Sequence, residues 1–173
     1  MAGSLELTKF VEVTSATANV DVTDCFNDKF DVYKITFSDA TSSFDGSSNN
    51  VRFINSSGSV ISSSDYDFAY LRFKAVSSFN EIKNTSQDKL LEAGGIIPNT
   101  ESVGTVLYVY NPFSSSSFTF VTMQMSSMSG TEFRSYKYIG VLKDTSSITG
   151  IRFLNADGNT TAAKISVYGI KGN

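Results

Sequence analysis

Two similar stretches decide the fold: Val51-Arg52-Phe53-Ile54-Asn55-Ser56-Ser57-Gly58 and Ile151-Arg152-Phe153-Leu154-Asn155-Ala156-Asp157-Gly158. Each places Arg and Phe in a short apolar run and ends with Asn and Gly, which favour turns. A strand-like Tyr-Lys segment precedes each stretch, at 33–37 and 136–142. The copies lie too far apart for a solenoid, whose units repeat every ~20 to 50 residues. We therefore expect two similar hairpins on facing sheets of one β-sandwich.

The composition predicts one all-β domain over residues 1–173. A chain of this length can remove roughly two thirds of its extended surface from water, so its core needs no disulfide or metal. Phe and Tyr are frequent, Trp is absent, and Ser, Thr and Asn separate the apolar runs. This balance is typical of many short strands joined by polar turns.

Period-two alternation and short apolar runs predict about ten strands in all. Such a number of short antiparallel strands favours an antiparallel β-sandwich of jelly-roll type, which limits exposed edges. The predicted strands lie at 5–13, 18–22, 30–37, 51–54, 66–76, 105–110, 118–125, 133–142, 148–155 and 162–170.

Two segments carry more specific expectations. In the strand 66–76, the face with Ala69, Leu71 and Phe73 is expected to be core, and the opposite face starts aromatic and ends charged. The segment 77–104 mixes charged and apolar residues and contains Gly94-Gly95. We interpret it as a long connection with one short helix, which has a functional role or covers a sheet edge.

The residue inventory argues against catalysis and cofactors. The chain has no His, which removes the usual general base and the usual metal ligand. Its single cysteine, Cys25, is expected to be a small buried hydrophobe and not a reactive thiol. We therefore expect no enzyme, no cofactor, no metal site and no catalytic residue.

Charge and hydropathy limit the partners. The net charge is −3 and the cations are scattered as single residues, so a nucleic-acid partner is not expected. No segment reaches the ~18 consecutive apolar residues of a membrane helix, and the first residues do not resemble a secretion signal. We expect that the protein does not insert into a membrane and that it is made in a cytoplasm.

Two acidic segments have a functional and an ordinary interpretation. The loop 155–159 is similar to the start of a calcium loop, but it lacks most of the oxygen ligands, so a tight hairpin turn is favoured. Asp65 and Asp67 could form the carboxylate pair of a glycosidase. Two Asp residues at the start of a strand are common, and the ordinary interpretation is favoured there too.

Four tyrosines form two pairs spaced two residues apart, Tyr108 with Tyr110 and Tyr136 with Tyr138. Each pair shares one face of a strand. Exposed pairs would form a stacking platform for sugars or for a protein, whereas buried pairs are sandwich core. Core is the favoured interpretation for all four.

The last forty residues resemble the closing strands of small structural proteins from tailed bacteriophages. The resemblance lies in Tyr136-Lys137-Tyr138-Ile139-Gly140-Val141-Leu142 and Ser147-Ile148-Thr149-Gly150-Ile151-Arg152-Phe153, and most of all in the ending Val167-Tyr168-Gly169-Ile170. Asp31-Val32-Tyr33-Lys34-Ile35 and Asp65-Tyr66-Asp67-Phe68-Ala69-Tyr70 are similar to the same family. The resemblance implies a virion component, either a capsid knob or decoration or a tail tip. The chain has no heptads and no collagen-like repeat, so a complete tail fibre is not expected.

The leading hypothesis is thus a non-catalytic β-sandwich protein on the phage surface, assembled into the virion in the host cytoplasm. Its expected partners are other capsid or tail proteins and further copies of itself. The alternative, from a different class, is a glycan-binding module that recognises a host surface receptor. A carbohydrate-active enzyme is the third and weakest hypothesis. No binding residue is assigned by the sequence.

Overall fold

Alternating buried and exposed residues form twelve strands in the computed structural model, which describes residues 4–76 and 79–171. The strands are β1 (Leu5–Val13), β2 (Asn19–Val22), β3 (Val32–Ser42), β4 (Ser47–Asn55), β5 (Tyr66–Lys74), β6 (Asn80–Gln87), β7 (Leu90–Ile97), β8 (Val103–Tyr110), β9 (Thr119–Ser129), β10 (Glu132–Leu142), β11 (Ile148–Asn155) and β12 (Thr160–Ile170).

The strands form two antiparallel sheets packed face to face. The large sheet has eight strands in the order β1-β12-β3-β8-β9-β10-β5-β6, and the small sheet has four in the order β2-β11-β4-β7. This arrangement confirms the predicted all-β antiparallel sandwich of jelly-roll type.

The strand order of both sheets has a local two-fold character. Exchanging the strands in the pairs β1/β6, β12/β5, β3/β10, β8/β9, β2/β7 and β11/β4 reverses the order of each sheet, and it carries the consecutive strands β1-β2 onto β6-β7 and β3-β4-β5 onto β10-β11-β12. The stretches 51–58 and 151–158 begin in one such pair, β4 and β11, and the preceding Tyr-Lys segments lie in another, β3 and β10. The repeat in the sequence therefore marks equivalent positions in the fold.

The predicted placement of these segments is wrong in detail. The repeated stretches lie side by side in the small sheet and not on facing sheets, and neither belongs to a hairpin with its Tyr-Lys segment. Instead β3–β4 and β10–β11 each cross from the large sheet to the small one. Because of this crossing, the Tyr-Lys segments and the repeated stretches contribute core residues from opposite sheets. Phe37 of β3, for example, packs against Phe153 of β11 with ring centroids 5.1 Å apart.

The long connection with a helix is also wrong, because the described part of 77–104 contains two whole strands and the start of β8. β6 is the polar edge strand of the large sheet, and β7 is the buried edge strand of the small sheet. Neither glycine ends a helix. The side chain of Asn49 packs against Gly94, where a Cβ atom would clash with it, and Gly95 has a positive φ of 94°. Ser77 and Ser78 lie outside the described residues.

The core contains the phenylalanine of each similar stretch. Phe53 and Phe153 are both buried between the sheets. Cys25 is buried as well, and its burial raises the pKa of the thiol to about 12. The interpretation of Cys25 as a small buried hydrophobe is thereby confirmed.

The two faces of β5 are the reverse of the prediction. Tyr66, Phe68 and Tyr70 point into the core, whereas Leu71 is 40% exposed on the outside. The aromatic face can be buried because Arg72, at its charged end, forms an ion pair of 3.0 Å with Glu92, which enters from β7. The hydroxyl of Tyr66 is satisfied too, since it donates to the carbonyl oxygen of Ile61 at 3.0 Å.

Candidate binding face of the large sheet

The outward face of the small sheet is ionic. Arg152 of β11 binds Asp21 of β2 through two hydrogen bonds, with Nε to Oδ1 at 2.5 Å. Arg52 of β4 donates through Nε to the carbonyl oxygen of Asp88 at 2.9 Å and also pairs with the Asp88 carboxylate. Exposed charge of this kind is ordinary for a solvated sheet face.

The outward face of the large sheet is apolar instead. Ile139 is 60% exposed and Phe120 is 45% exposed, although both lie in the middle of the sheet. Most of the large exposed hydrophobic residues in the described part of the chain belong to this face. They are Leu5, Leu7, Phe10, Leu71, Phe120, Phe133 and Ile139.

The strand register aligns aromatic and charged residues across this face. Lys34 lies opposite Tyr108, Tyr108 opposite Thr122, and Thr122 opposite Ile139. One step along the strands, Tyr110 lies opposite Phe120. Both tyrosines are half-buried, and the hydroxyl of Tyr110 is 3.3 Å from that of Thr122.

Two shallow grooves border Ile139. The larger groove, of about 760 Å³, runs between β6 and β9. The smaller groove, of about 440 Å³, runs between β10 and β3. The larger is lined by Asp67, Phe68, Ala69, Lys83, Asn84, Thr85, Phe120, Val121, Thr122, Ile139, Gly140 and Val141. The smaller is lined by Lys34, Val106, Tyr108, Thr122, Met123, Gln124, Lys137, Tyr138 and Ile139.

The four tyrosines divide between core and surface. Tyr136 and Tyr138 are buried between the sheets, as predicted, and their rings stack on Tyr70 at 5.1 and 5.4 Å between centroids. Tyr108 and Tyr110 lie on the outward face, so the prediction that they are core is wrong. Their strand, β8, has its core residues at the alternate positions, which are filled by Leu107 and Val109.

Asp65 and Asp67, the two carboxylates considered for a glycosidase, both make structural contacts. Asp67 pairs with Lys143 at 2.9 Å and accepts a hydrogen bond of 2.8 Å from the backbone N–H of Ser86. These two contacts lower the pKa of the Asp67 carboxyl. Asp65 contributes its backbone carbonyl, which accepts from the N–H of Lys143 at 2.9 Å. Asp67 is therefore an ionised structural anchor that is unsuited to donating a proton.

The loop 155–159 is a turn, as the sequence favoured. Gly158 has a positive φ of 76°, and the N–H of Asn159 donates to Ser43 Oγ at 2.9 Å. The turn joins β11 of the small sheet to β12 of the large one, so it is not the hairpin turn that was expected. Among the described residues, no group of three or more His, Cys, Asp and Glu side chains is arranged to hold a metal ion.

A buried polar cluster was missed by the sequence analysis. Glu92 accepts hydrogen bonds from the Tyr70 hydroxyl at 2.8 Å and from Arg72 at 3.0 Å, and the Arg72 guanidinium lies 5.1 Å from the centre of the Tyr136 ring. Burial and the Glu92 carboxylate raise the pKa of both tyrosines. Glu92 itself has a positive φ of 56°. The alternation Phe68-x-Tyr70-x-Arg72 before an isolated Glu is the signal that could have revealed this cluster.

Comparisons with known proteins describe only a general likeness of architecture. No family model matches the chain, and no curated protein matches it. Among solved structures, galectin LEC-6 of Caenorhabditis elegans is 8% identical, with 93% of this chain and 96% of that chain covered and a TM-score of 0.38. Alginate lyase Aly36B, solved with an alginate trisaccharide, is 11% identical, with 93% and 79% covered and a TM-score of 0.35.

A third similar structure is the endo-β-1,4-glucuronan lyase of the fungus Trichoderma reesei. It is 6% identical, with 99% of this chain and 87% of that chain covered and a TM-score of 0.32. Likenesses this distant transfer no activity to the chain. Separately, the described residues contain no helix with the length and apolar character needed to cross a bilayer.

Proposed function

We propose that the chain is a non-catalytic structural protein on the surface of a tailed-phage particle, and that it attaches through the outward face of its large sheet. The phage assignment rests on the resemblance of the closing strands. This resemblance implies a capsid knob or decoration, or a tail tip. The proposed partners are other virion proteins.

The contrast between the two outward faces carries the choice of surface. The small sheet presents paired Arg and Asp side chains, which are well solvated. The large sheet presents Ile139 and Phe120 near its centre, with two apolar grooves beside them. A broad exposed apolar face is characteristic of a site that another molecule covers.

The non-catalytic assignment is supported by the state of the titratable groups. Cys25 is held as a buried thiol, and Asp67 is engaged by Lys143 and by a backbone N–H. Glu92 lies inside the sandwich, where its carboxylate is occupied by Arg72 and Tyr70. Each of these groups has a structural partner or is kept from solvent.

Binding to defective particles tests the proposal. Purified protein is incubated with phage particles that lack it, and the bound fraction is measured by co-sedimentation. The double variant Phe120→Asp/Ile139→Asp places two charges on the face. Phe44→Asp is the control for a charge that replaces an exposed hydrophobic residue elsewhere, because Phe44 is 54% exposed but lies in the turn between β3 and β4.

The expected result is that the wild-type protein and Phe44→Asp bind, whereas the double variant does not. Circular dichroism and thermal melting establish that all three proteins are folded. Equal binding by the double variant would remove the large sheet from the proposal. Failure of the wild-type protein to bind particles, or release of sugars from host polysaccharide, would contradict the proposed function itself.

A second candidate function, glycan recognition, is favoured by one observation. Tyr108 and Tyr110 are half-buried on the outward face and are accompanied by polar side chains such as Gln124. Tyrosine supplies an apolar ring for the face of a sugar and a hydroxyl for its hydrogen bonds. This function uses the same face of the large sheet, so the two candidates differ in the molecule that is bound.

A further inference from the structure

Three lysines on the outward face of the large sheet stand out in a chain of net charge −3. They are Lys34 on β3, Lys137 on β10 and Lys83 on β6. Within residues 4–76 and 79–171, none of the three forms an ion pair with a carboxylate. Most of the remaining Lys and Arg residues are paired, so unneutralised positive charge is concentrated on the apolar face.

Lys34 and Lys137 line the same groove. The groove has a volume of about 440 Å³, and Tyr108, Gln124 and Ile139 also line it. Lys34 and Lys137 are three strand steps apart in the sheet order β3-β8-β9-β10, which corresponds to about 14 Å across the strands. Tyr108 lies directly opposite Lys34 on β8, one of the two strands between them.

This combination selects a ligand chemistry. An extended chain that carries negative groups at intervals can place them on Lys34 and Lys137 while its apolar faces contact Tyr108 and Ile139. We infer that the groove binds an anionic polysaccharide that lies across the strands. The inference rests on glycan recognition, the second candidate function, and it defines the ligand class as acidic sugar chains.

Two other occupants, a second copy of the chain and nucleic acid, fit the face less well. A second copy of the chain, docked through the same face around a two-fold axis, would bring the three unpaired lysines of both copies into one interface. Like charges that are desolvated together cost binding free energy. Nucleic acid would need a larger basic footprint than three lysines on a chain of net negative charge.

Glu81 provides an internal check on the sign of the charge effect. It lies on the same face, opposite Leu71, and lines a smaller depression together with Lys83 and Lys137. Its carboxylate should repel an anionic chain. Glu81→Gln is therefore expected to strengthen binding, in the opposite direction to the lysine variants.

The test compares polysaccharides that differ in charge. Binding of dextran, dextran sulfate and polygalacturonate is measured by isothermal titration calorimetry, at low salt and at high salt. Dextran and dextran sulfate share a backbone, so their difference isolates charge, and polygalacturonate tests carboxylates in place of sulfates. Single-stranded DNA is included as an anion of a different class.

Two double variants are matched for loss of charge. Lys34→Gln/Lys137→Gln removes the cations of the groove. Lys29→Gln/Lys89→Gln removes two ion-paired cations that lie outside the large sheet, in the turn before β3 and the turn between β6 and β7. Tyr108→Ala removes the ring while leaving the charge unchanged.

The expected result is binding of at least one acidic polysaccharide and none of dextran, with affinity that falls as salt screens the lysines. The groove variant should bind roughly tenfold more weakly than wild type, equivalent to about 1.4 kcal/mol. Tyr108→Ala should also bind more weakly. The Lys29 and Lys89 variant should bind like wild type.

Equal binding of dextran, unchanged binding by the groove variant, preference for single-stranded DNA or no binding to any acidic polysaccharide would each overturn the inference. Particle binding is measured with the same wild-type protein in a separate assay. Failure of the polysaccharide assay therefore leaves the proposed structural function standing. Failure of the particle assay likewise leaves the inference of polysaccharide binding standing.

Discussion

Arg52 and Arg152 lie directly opposite each other where β4 pairs with β11 in the small sheet. Like charges at opposed positions of an antiparallel pair are destabilising. Each arginine is neutralised from its outer side, Arg152 by Asp21 and Arg52 by Asp88. The ionic ladder thus follows the local two-fold relation of the strands, with the two guanidinium groups at its centre.

Removing one counter-ion should expose the repulsion between the arginines. Asp21→Asn is expected to lower the free energy of unfolding by about 0.5 to 1 kcal/mol, since the pair is partly exposed. Urea denaturation at low and high salt measures this loss, which should shrink as salt screens the charges. The Arg152→Gln background serves as control, because the same Asp21 substitution should cost less there. A loss that does not depend on salt would contradict this explanation.

Phe153 should be among the most sensitive core positions. It is buried against Phe37, with ring centroids 5.1 Å apart, so Phe153→Ala leaves a cavity between the sheets. The expected loss is about 3 to 5 kcal/mol of unfolding free energy, measured by urea denaturation. The exposed Phe44 offers the comparison, and Phe44→Ala should stay within about 0.5 kcal/mol of wild type. Similar losses for both variants would show that burial is not the cause.

The Arg72–Glu92 ion pair should be strongly coupled. Glu92→Gln leaves the largely buried Arg72 without its carboxylate and is expected to cost about 2 to 3 kcal/mol, because a buried charge that loses its partner is destabilising. Arg72→Met should be costly for the same reason. The double variant should cost less than the sum of the two single variants, and chemical denaturation of all four proteins measures the difference. Additive losses would mean that the pair contributes little.

Gly169, in the Tyr168-Gly169 ending of β12, is required by a close contact. A Cβ atom at Gly169 would lie 2.2 Å from an atom of the Phe30 ring. Gly169→Ala is therefore expected to destabilise the protein by about 1 to 3 kcal/mol, as overpacking does. Adding Phe30→Leu should recover part of the loss relative to Phe30→Leu alone. The melting temperatures of the four proteins decide this, and the absence of any recovery would separate Gly169 from Phe30.

Alkaline pH should destabilise the fold through Cys25. Its burial raises the pKa of the thiol from an ordinary 9.0 to about 12, so the folded state keeps the proton that the unfolded state loses first. The resulting stabilisation is present below pH 9 and is lost as the pH rises towards 12. The native protein should react slowly with a thiol reagent at pH 8 and rapidly after denaturation. In Cys25→Ala, the fall in stability between these pH values should be smaller. Fast labelling of the native protein would contradict the burial.

The sequence predicted the strands better than it predicted their faces. Alternation located β8 and β10 and showed that Tyr108 shares a face with Tyr110, and Tyr136 with Tyr138. It could not show which face is inward, because both faces of these strands carry apolar residues. That choice depends on long-range contacts, such as the hydrogen bond between Tyr70 and Glu92 and the position of Arg72 over the Tyr136 ring.

The strands within 77–104 were not predicted from the sequence, for a related reason. β6 is an edge strand exposed on both faces, so it shows no alternation of apolar and polar residues. β7 is buried on most positions and contains two glycines, a pattern that period-two analysis does not recognise. The candidate binding face could not be predicted from the sequence either, because Lys34, Tyr108 and Lys137 come together only through the strand register.

The position of the β8–β9 hairpin at the centre of the large sheet has a consequence for folding kinetics. β8, β9 and β10 follow one another in the chain and pair in the same order, so residues 103–142 can assemble early through local contacts. The pairing of β1 with β12 joins opposite ends of the described chain and requires the closure of a very long loop. Chains dominated by such distant pairings fold slowly, over milliseconds to seconds. Folding should therefore proceed outward from the central hairpin, and β1 should be the last strand to gain protection from hydrogen exchange.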